Sequence, residues 1–125
     1  MQDRYAGDIG DFGKFALLKA LSSAGFKIGV NWYRTCPQSF EKQDDGKYHI
    51  PQKYFSCDRH LAETLSTISH LPTAKRTICK LQEADLVDAV WFSEKVPFKG
   101  ERLTWHHCAL AELYTCNIVF LDPDN

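Results

Sequence analysis

The sequence lacks a long hydrophobic run, a C-x-x-C pair and an excess of charge of either sign. No apolar stretch approaches the roughly 20 residues that a membrane-spanning helix needs. The first fifteen residues carry three aspartates and three glycines, which excludes a secretory hydrophobic segment. Fifteen Lys plus Arg against sixteen Asp plus Glu give a net charge of -1. This balance disfavours nucleic-acid binding through phosphate neutralisation.

The five cysteines are an odd number at irregular spacing. Without a secretory signal, this pattern predicts reduced thiols in a cytosol. We therefore expect a cytoplasmic protein, from a bacterial cell or a phage-infected one, with no contact to a membrane.

The length of 125 residues predicts one domain over residues 1–125. A chain of this size buries roughly two-thirds of its unfolded surface, which is enough for one core. Hydrophobic residues make up 44% and aromatic residues 13%, as in a globular protein.

The hydrophobic pattern alternates between helical and extended periods along the chain. Helices are predicted from about Phe12 to Ser23, after Asp58 to about His70 with Leu61, Leu65 and Ile68 buried, and from about Glu101 to Thr115 anchored by Leu103, Leu110 and Leu113. Strands are predicted over Lys27 to Tyr33, Arg76 to Leu81, Ala89 to Glu94 and Ile118 to Leu121. A loop is predicted over Arg34 to Lys47, an irregular or edge segment over Tyr48 to Phe55, and a short turn or helix over Glu83 to Asp88. Asp11 is the expected N-cap of the first helix and Gly25 its C-terminal cap.

The order of these elements indicates an α/β fold. The run Ile118 to Leu121 has no polar residue, which is typical of a strand covered on both faces in a parallel sheet. Ligands of such sheets bind outside the carboxyl ends of the strands. The segments after Tyr33 and after Leu121 are therefore the places where we expect a site.

The opening segment combines glycines with Asp8, Asp11 and Lys14 ahead of the first helix. Most such stretches are only glycine-rich loops that cap a helix. In the functional interpretation, loop amides near Gly7 and the Lys14 ammonium meet an anionic or polar ligand at the helix N-terminus.

The closing segment Asp122-Pro123-Asp124-Asn125 follows the last predicted strand. Asp, Pro and Asn are turn formers, so a plain turn is one interpretation. The other comes from position, because an acid at the carboxyl end of a strand in such a sheet lies where α/β enzymes keep reactive groups.

Both segments carry a family resemblance. The spacing A-G-x-x-x-D-x-x-K from Ala6 to Lys14, with the closing L-D-P, resembles the motifs of bacterial methyltransferases that modify an adenine of large-subunit ribosomal RNA. The stretch RYAGDIGDFGKFALLKAL is also similar to an uncharacterised bacterial and phage family whose longer members continue past an F-L-D-P-D-N-G segment. The resemblance implies an incomplete Rossmann-like sheet flanked by helices. It also implies S-adenosylmethionine as cofactor, held near Gly7, Asp11 and Lys14, with Asp122 as the catalytic acceptor for a target amino group.

Three departures separate this sequence from that family. No glycine follows the first strand until Gly46, although the cofactor backbone turn needs one. Asp124 and Asn125 replace the proline and the base-stacking aromatic residue of the D-P-P-Y motif. The sequence stops at the fourth strand of the pattern, whereas methyltransferase sheets continue with three more.

These departures favour a non-catalytic binding or inhibitory protein on a truncated methyltransferase-like scaffold. Small phage-encoded inhibitors of host defence complexes have this size, so such a complex is the expected target. One alternative is an S-adenosylmethionine-dependent nucleic-acid methyltransferase or a fragment of one. A further alternative is a metal-dependent nuclease that uses Asp8, Asp11 and Asp122.

The last strand also predicts a partner. If Ile118 to Leu121 lacks a neighbour on one side, its unpaired amides and carbonyls are a template for pairing. We expect a homodimer or a contact with another protein at this edge.

Other polar clusters are weaker candidates. Consecutive residues of a helix point about 100° apart, so the run Trp105-His106-His107-Cys108 cannot converge on one ion, and no metal site is predicted. Cys36 would need a neighbouring base to act as a nucleophile. The turn Asp44-Asp45-Gly46 lacks the spacing of a calcium loop.

Overall fold

The computed structural model describes residues 1–35 and 49–123. Within them lie four α-helices and one three-stranded sheet. In chain order the elements are α1 (Ile9–Ser23), β1 (Ile28–Asn31), α2 (Arg59–Ser69), α3 (Ile78–Glu83), β2 (Ala89–Phe92), α4 (Arg102–Leu113) and β3 (Ile118–Leu121). Short 3-10 helices cover Asp3–Tyr5, Gln52–Ser56, Thr73–Lys75 and Lys99–Glu101. The predictions for Cys36, for the Asp44-Asp45-Gly46 turn, and for Asp124 and Asn125 fall outside the described residues.

The sheet is parallel and has the order β2-β1-β3, so the predicted mixed α/β fold with a parallel sheet is confirmed. Ile28 is in register with Ala89 on one side and with Ile118 on the other. The connection from β1 to β2 contains α2 and α3, and the connection from β2 to β3 contains α4 and passes over β1. These two crossovers run in opposite directions, and right-handed crossovers then place their helices on opposite faces of the sheet.

Burial follows the two faces. Ile28, Val30 and Trp32 point into the main core, where α1 and α2 pack, as the alternation in the sequence predicts. On the other face α4 packs against β1 and β2, with Ala109 and Leu113 in a smaller cluster. No helix within residues 1–35 and 49–123 is long and apolar enough to cross a membrane.

All three predicted helices form close to their expected positions. α2 begins after the N-cap Asp58, whose side chain accepts the Leu61 N–H at 3.0 Å, and it buries Leu61, Leu65 and Ile68. α1 ends near Gly25, whose φ of +89° suits a C-terminal glycine. The predicted cap of α1 is wrong. The N-cap is Asp8, whose side chain accepts the Asp11 N–H at 3.0 Å. The helix therefore begins at Ile9, and Asp11 is inside it.

The predicted strand over Arg76 to Leu81 is wrong. Ile78 begins the helix α3, with the Thr77 side chain as its N-cap. The Ile78 N–H is also held from outside, by the Asp3 carboxylate at 2.9 Å. The Thr77 side chain and the Asp3 carboxylate thus accept backbone N–H groups of the first turn of α3. The residue pattern of this segment does not reveal the contact with Asp3.

The predicted role of the last strand needs correction. β3 is an edge strand and β1 is the central one. Residues of β3 alternate between partly buried and exposed, so this strand is not covered on both faces. Of the predicted α4 anchors only Leu113 is buried, whereas Leu103 is 68% and Leu110 is 56% exposed.

Gly7 lies where the chain passes close to α2. Its φ is +86°, and a Cβ at this position would lie 2.5 Å from the Leu65 carbonyl oxygen and 2.9 Å from the Ser69 nitrogen. Both contacts are with backbone, which cannot rotate away as a side chain can. Gly13, in contrast, is inside α1 and has nothing within 4 Å of a built Cβ.

We expect the variants Gly7→Ala and Gly13→Ala to change stability in opposite directions. Gly7→Ala should lower the free energy of unfolding by roughly 2–3 kcal/mol, because it combines a positive φ with a backbone overlap. Gly13→Ala should raise it by about 1 kcal/mol, since alanine has the higher helix propensity. Urea unfolding followed by circular dichroism measures both. Equal stability of the two variants would contradict the close approach at Gly7.

Candidate functional site

The strand order defines one crevice at the carboxyl end of the sheet. From the central strand β1 the sheet extends to β2 on one side and to β3 on the other. In open α/β sheets, ligands bind where the strand order reverses in this way. Asn31 ends β1 and Asp122 follows β3, and the Asp122 N–H donates to the Asn31 carbonyl oxygen at 3.1 Å.

The predicted residues from both ends of the sequence meet at this crevice. The Lys14 Nζ atom lies 2.8 Å from the Asp122 Oδ2 atom and 3.4 Å from the Asp11 Oδ1 atom. The Gly7 N–H donates to the Asp11 Oδ2 atom at 2.8 Å. The structure therefore brings Gly7, Asp11, Lys14 and Asp122 together in one cluster, and their roles toward a ligand stay a prediction.

Asp11 is fully buried, which is unusual for a carboxyl group. Burial raises the pKa of Asp11 to about 7, since desolvation penalises the charged form. The Lys14 ammonium opposes this rise, and the neighbouring Asp8 adds to it. Asp11 therefore titrates near neutral pH.

Lys14 lies between two carboxylates and above an aromatic ring. Burial alone would lower the pKa of Lys14, but the attraction of Asp11 and the hydrogen bond to Asp122 outweigh it, so the pKa ends above its ordinary value. The Nζ atom is also 5.9 Å from the centre of the Trp32 ring, within cation–π range. Lys14 is therefore a permanent cation that links α1 to the end of β3.

Three features of the crevice were not predicted from the sequence. The Met1 ammonium donates to the carbonyl oxygens of Trp32 at 3.0 Å, Tyr33 at 3.1 Å and Asp122 at 3.4 Å. Asn31 is buried, and its side chain accepts the Tyr33 N–H at 3.0 Å. Tyr33 has a φ of +46°, a conformation that bulky residues rarely adopt. An asparagine inside an apolar strand was the only sequence signal for any of them.

The carboxyl groups, the ammonium groups and several backbone groups of the crevice bond one another. The Gly7 amide, predicted to face a ligand, donates to Asp11, and the carbonyls at the end of β1 accept from the Met1 ammonium. The backbone after β1 carries Trp32 and Tyr33 where a cofactor of the predicted kind needs a glycine turn. The described residues therefore fit S-adenosylmethionine poorly, and the cluster is built as an ionic link between the two ends of the described chain.

A metal ion also fits this cluster poorly. Asp8 is committed to capping α1, and the Lys14 ammonium stands between Asp11 and Asp122. Among residues 1–35 and 49–123, no group of three or more His, Cys, Asp or Glu side chains is arranged to hold a metal. The Trp105-His106-His107-Cys108 run belongs to α4, where the Trp105 indole N–H donates to the Glu94 carbonyl at 3.2 Å.

Comparisons of this chain with protein-family models, with curated proteins and with solved structures found no match. The resemblance to ribosomal RNA methyltransferases therefore stays a prediction from the motifs. What the structure establishes is the mixed α/β class with a three-stranded parallel sheet in the described residues.

The pKa of Asp11 predicts a specific dependence of stability on pH. The folded chain holds this proton up to about pH 7, whereas the unfolded chain releases it near 3.8. Between these values the folded state binds more protons, so the Asp11 contribution to the free energy of unfolding falls as pH rises. The limiting slope is about 1.4 kcal/mol per pH unit. Asp11→Asn should remove this contribution, and urea unfolding between pH 4 and 8 measures the loss.

Asp58→Asn is the matched control, because Asp58 also pairs with a lysine and bonds a helix backbone. The hydrogen bond from Lys19 lowers the pKa of Asp58, so its contribution to stability changes only below pH 4. If the free energy of unfolding has the same pH slope in Asp11→Asn as in the wild-type protein between pH 4 and 7, then Lys14 keeps Asp11 ionised throughout this range.

Proposed function

We propose that this protein is a non-catalytic binding or inhibitory protein that engages a second protein, or a second copy of itself, through the open edge of β3. The observation that carries this proposal is the edge itself. β3 is an apolar strand with a neighbour on one side only, within the described residues, and it exposes two large side chains beside its free backbone groups.

The register of β3 defines which backbone groups face outward. Ile118 and Asp122 donate their N–H groups to carbonyls of β1 or the residue before it. Since backbone direction alternates along a strand, Val119 and Leu121 turn their N–H and C=O groups to the open side. Their side chains, 41% and 52% exposed, lie on the face opposite the main core. Unpaired backbone next to exposed apolar side chains is the pattern of a strand that pairs with another chain.

The crevice supports the non-catalytic part of the proposal. Its carboxylates, its ammonium groups and the carbonyls at the end of β1 are engaged with one another. An active site in a fold of this class needs polar groups aimed at a substrate instead. The partner class that we propose is a component of a host defence complex.

Charged substitutions at the β3 edge should abolish association. In sedimentation velocity between 1 and 100 µM, we expect the Leu121→Lys variant to be more monomeric than the wild-type protein, because a desolvated lysine opposes strand pairing. Leu17→Lys is the control, since Leu17 is 51% exposed on α1, away from β3. A wild-type protein that stays monomeric over this range, and whose backbone amides in β3 show no protection by any partner, would contradict the proposal.

A second candidate function follows from the position of the cluster. Lys14 and Asp122 meet where α/β enzymes bind cofactors, which favours an S-adenosylmethionine-dependent enzyme acting on nucleic acid. In that function Gly7, Asp11 and Lys14 contact the cofactor and Asp122 is the catalytic residue. A magnesium-dependent nuclease with Asp8, Asp11 and Asp122 is the weaker alternative, because a lysine ammonium already occupies the space between two of these carboxylates.

Calorimetry with S-adenosylmethionine separates the two candidates. The binding-protein proposal predicts no heat at millimolar cofactor. Measurable binding that is weakened at least tenfold in Lys14→Ala, and not in the control Lys19→Ala on the same helix, would establish the enzyme instead. Magnesium-dependent cleavage that is lost in Asp122→Ala would establish the nuclease.

A further inference from the structure

The second edge of the sheet carries a groove with its own chemistry. β2 is the other edge strand, and the described residues place no strand beside its outer side. Three cavities follow it. The largest has a volume of about 620 Å³, its neighbour about 590 Å³, and the one at the amino end of the strand about 350 Å³.

The middle cavity lies at the edge of the strand. It is lined by Trp91, which packs against the main core, and by Glu112 of α4, which covers the opposite face of the sheet. A space that touches residues of both faces lies beside the strand. The Val96 N–H donates to the Arg34 carbonyl on the β1 side. By alternation, Ala89 and Trp91 turn their backbone N–H and C=O groups into the groove.

The wall that α4 contributes is acidic. Glu112 of α4 and Glu101, the last residue of the 3-10 helix before it, line the largest cavity together with Glu94. These three carboxylates form no ion pair among the described residues, whereas the groove's Arg34 is paired with Asp3 at 3.2 Å. Lys95 is the one unpaired cation that lines the same cavity. The groove therefore complements a ligand with positive charge.

An aromatic surface completes the groove at its carboxyl end. The Trp105 ring packs edge-on against Phe92 at 5.5 Å and against Tyr33 at 5.0 Å, and its indole N–H is fixed by the Glu94 carbonyl. This wall is rigid and partly exposed, which suits the aliphatic stem of a lysine or arginine side chain.

From these observations we propose that the β2 groove binds an extended peptide segment with basic residues at alternate positions. The peptide pairs its backbone with Ala89 and Trp91 as an added strand. Its basic side chains, which all point to one face, meet the carboxylates of the α4 side. This site goes beyond the proposed function, because it uses the opposite edge of the sheet and a charged ligand.

The probe is an acetylated and amidated seven-residue peptide that alternates threonine and lysine. Titration into the ¹⁵N-labelled protein should shift the amide signals of Ala89 and Trp91, and affinity should fall as salt rises. The double variant Glu101→Gln/Glu112→Gln should bind at least fivefold more weakly. Glu63→Gln is the control, since Glu63 is an exposed glutamate on α2 with no part in the groove.

A second probe separates strand pairing from charge attraction alone. The same peptide with N-methyl groups at alternate residues keeps its charges but cannot donate to the β2 edge, so it should bind at least tenfold more weakly. Equal binding of the methylated peptide would overturn the proposal, as would no binding at millimolar peptide, or shifts confined to Val119 and Leu121. The sedimentation of the Leu121→Lys variant tests the β3 edge, whereas the peptide titration tests the β2 edge. The proposed function and the β2 peptide site can therefore fail independently.

Discussion

The structure depends on one partly buried contact, in which the Lys14 ammonium joins the Asp11 carboxyl group of the first helix to Asp122 beyond the last strand. A carboxyl group without exposure to water is stable only when its oxygens are bonded, and here the Gly7 amide and the Lys14 ammonium bond them. The same ammonium holds the end of β3. Two segments that are more than a hundred residues apart in the sequence therefore contact the same ammonium group.

This contact also explains why the crevice is a poor cofactor site. Groups that bond one another have little left for a ligand, and displacing them would leave Asp11 buried without a partner. The strand backbone groups that lack a neighbouring strand in the described chain lie at the two sheet edges instead. β3 offers an apolar strand, and β2 offers a groove with carboxylates, so the two edges suit partners of different chemistry.

The sequence predicted much of the fold because its signals are local. The alternation of Ile28, Val30 and Trp32 predicts β1, and the caps and spacing of α2 predict that helix. The prediction failed at residues 76–81, because the carboxylate of Asp3 helps to begin α3 from a distant part of the chain. It failed for the burial of β3 because an apolar run shows that a strand has hydrophobic side chains, but not that other elements cover both of its faces.

The sequence by itself determined the α/β class and most of the elements, since residue spacing and composition specify these, while the motif resemblance proposed Asp11, Lys14 and Asp122 as site residues. The tertiary structure alone decided that β1 is central, that β3 is an edge, and that Asn31 and the Met1 ammonium belong to the crevice. Strand order depends on which face each crossover helix covers, and burial of a polar group depends on neighbours from distant segments. Neither property is encoded in a local pattern of residues.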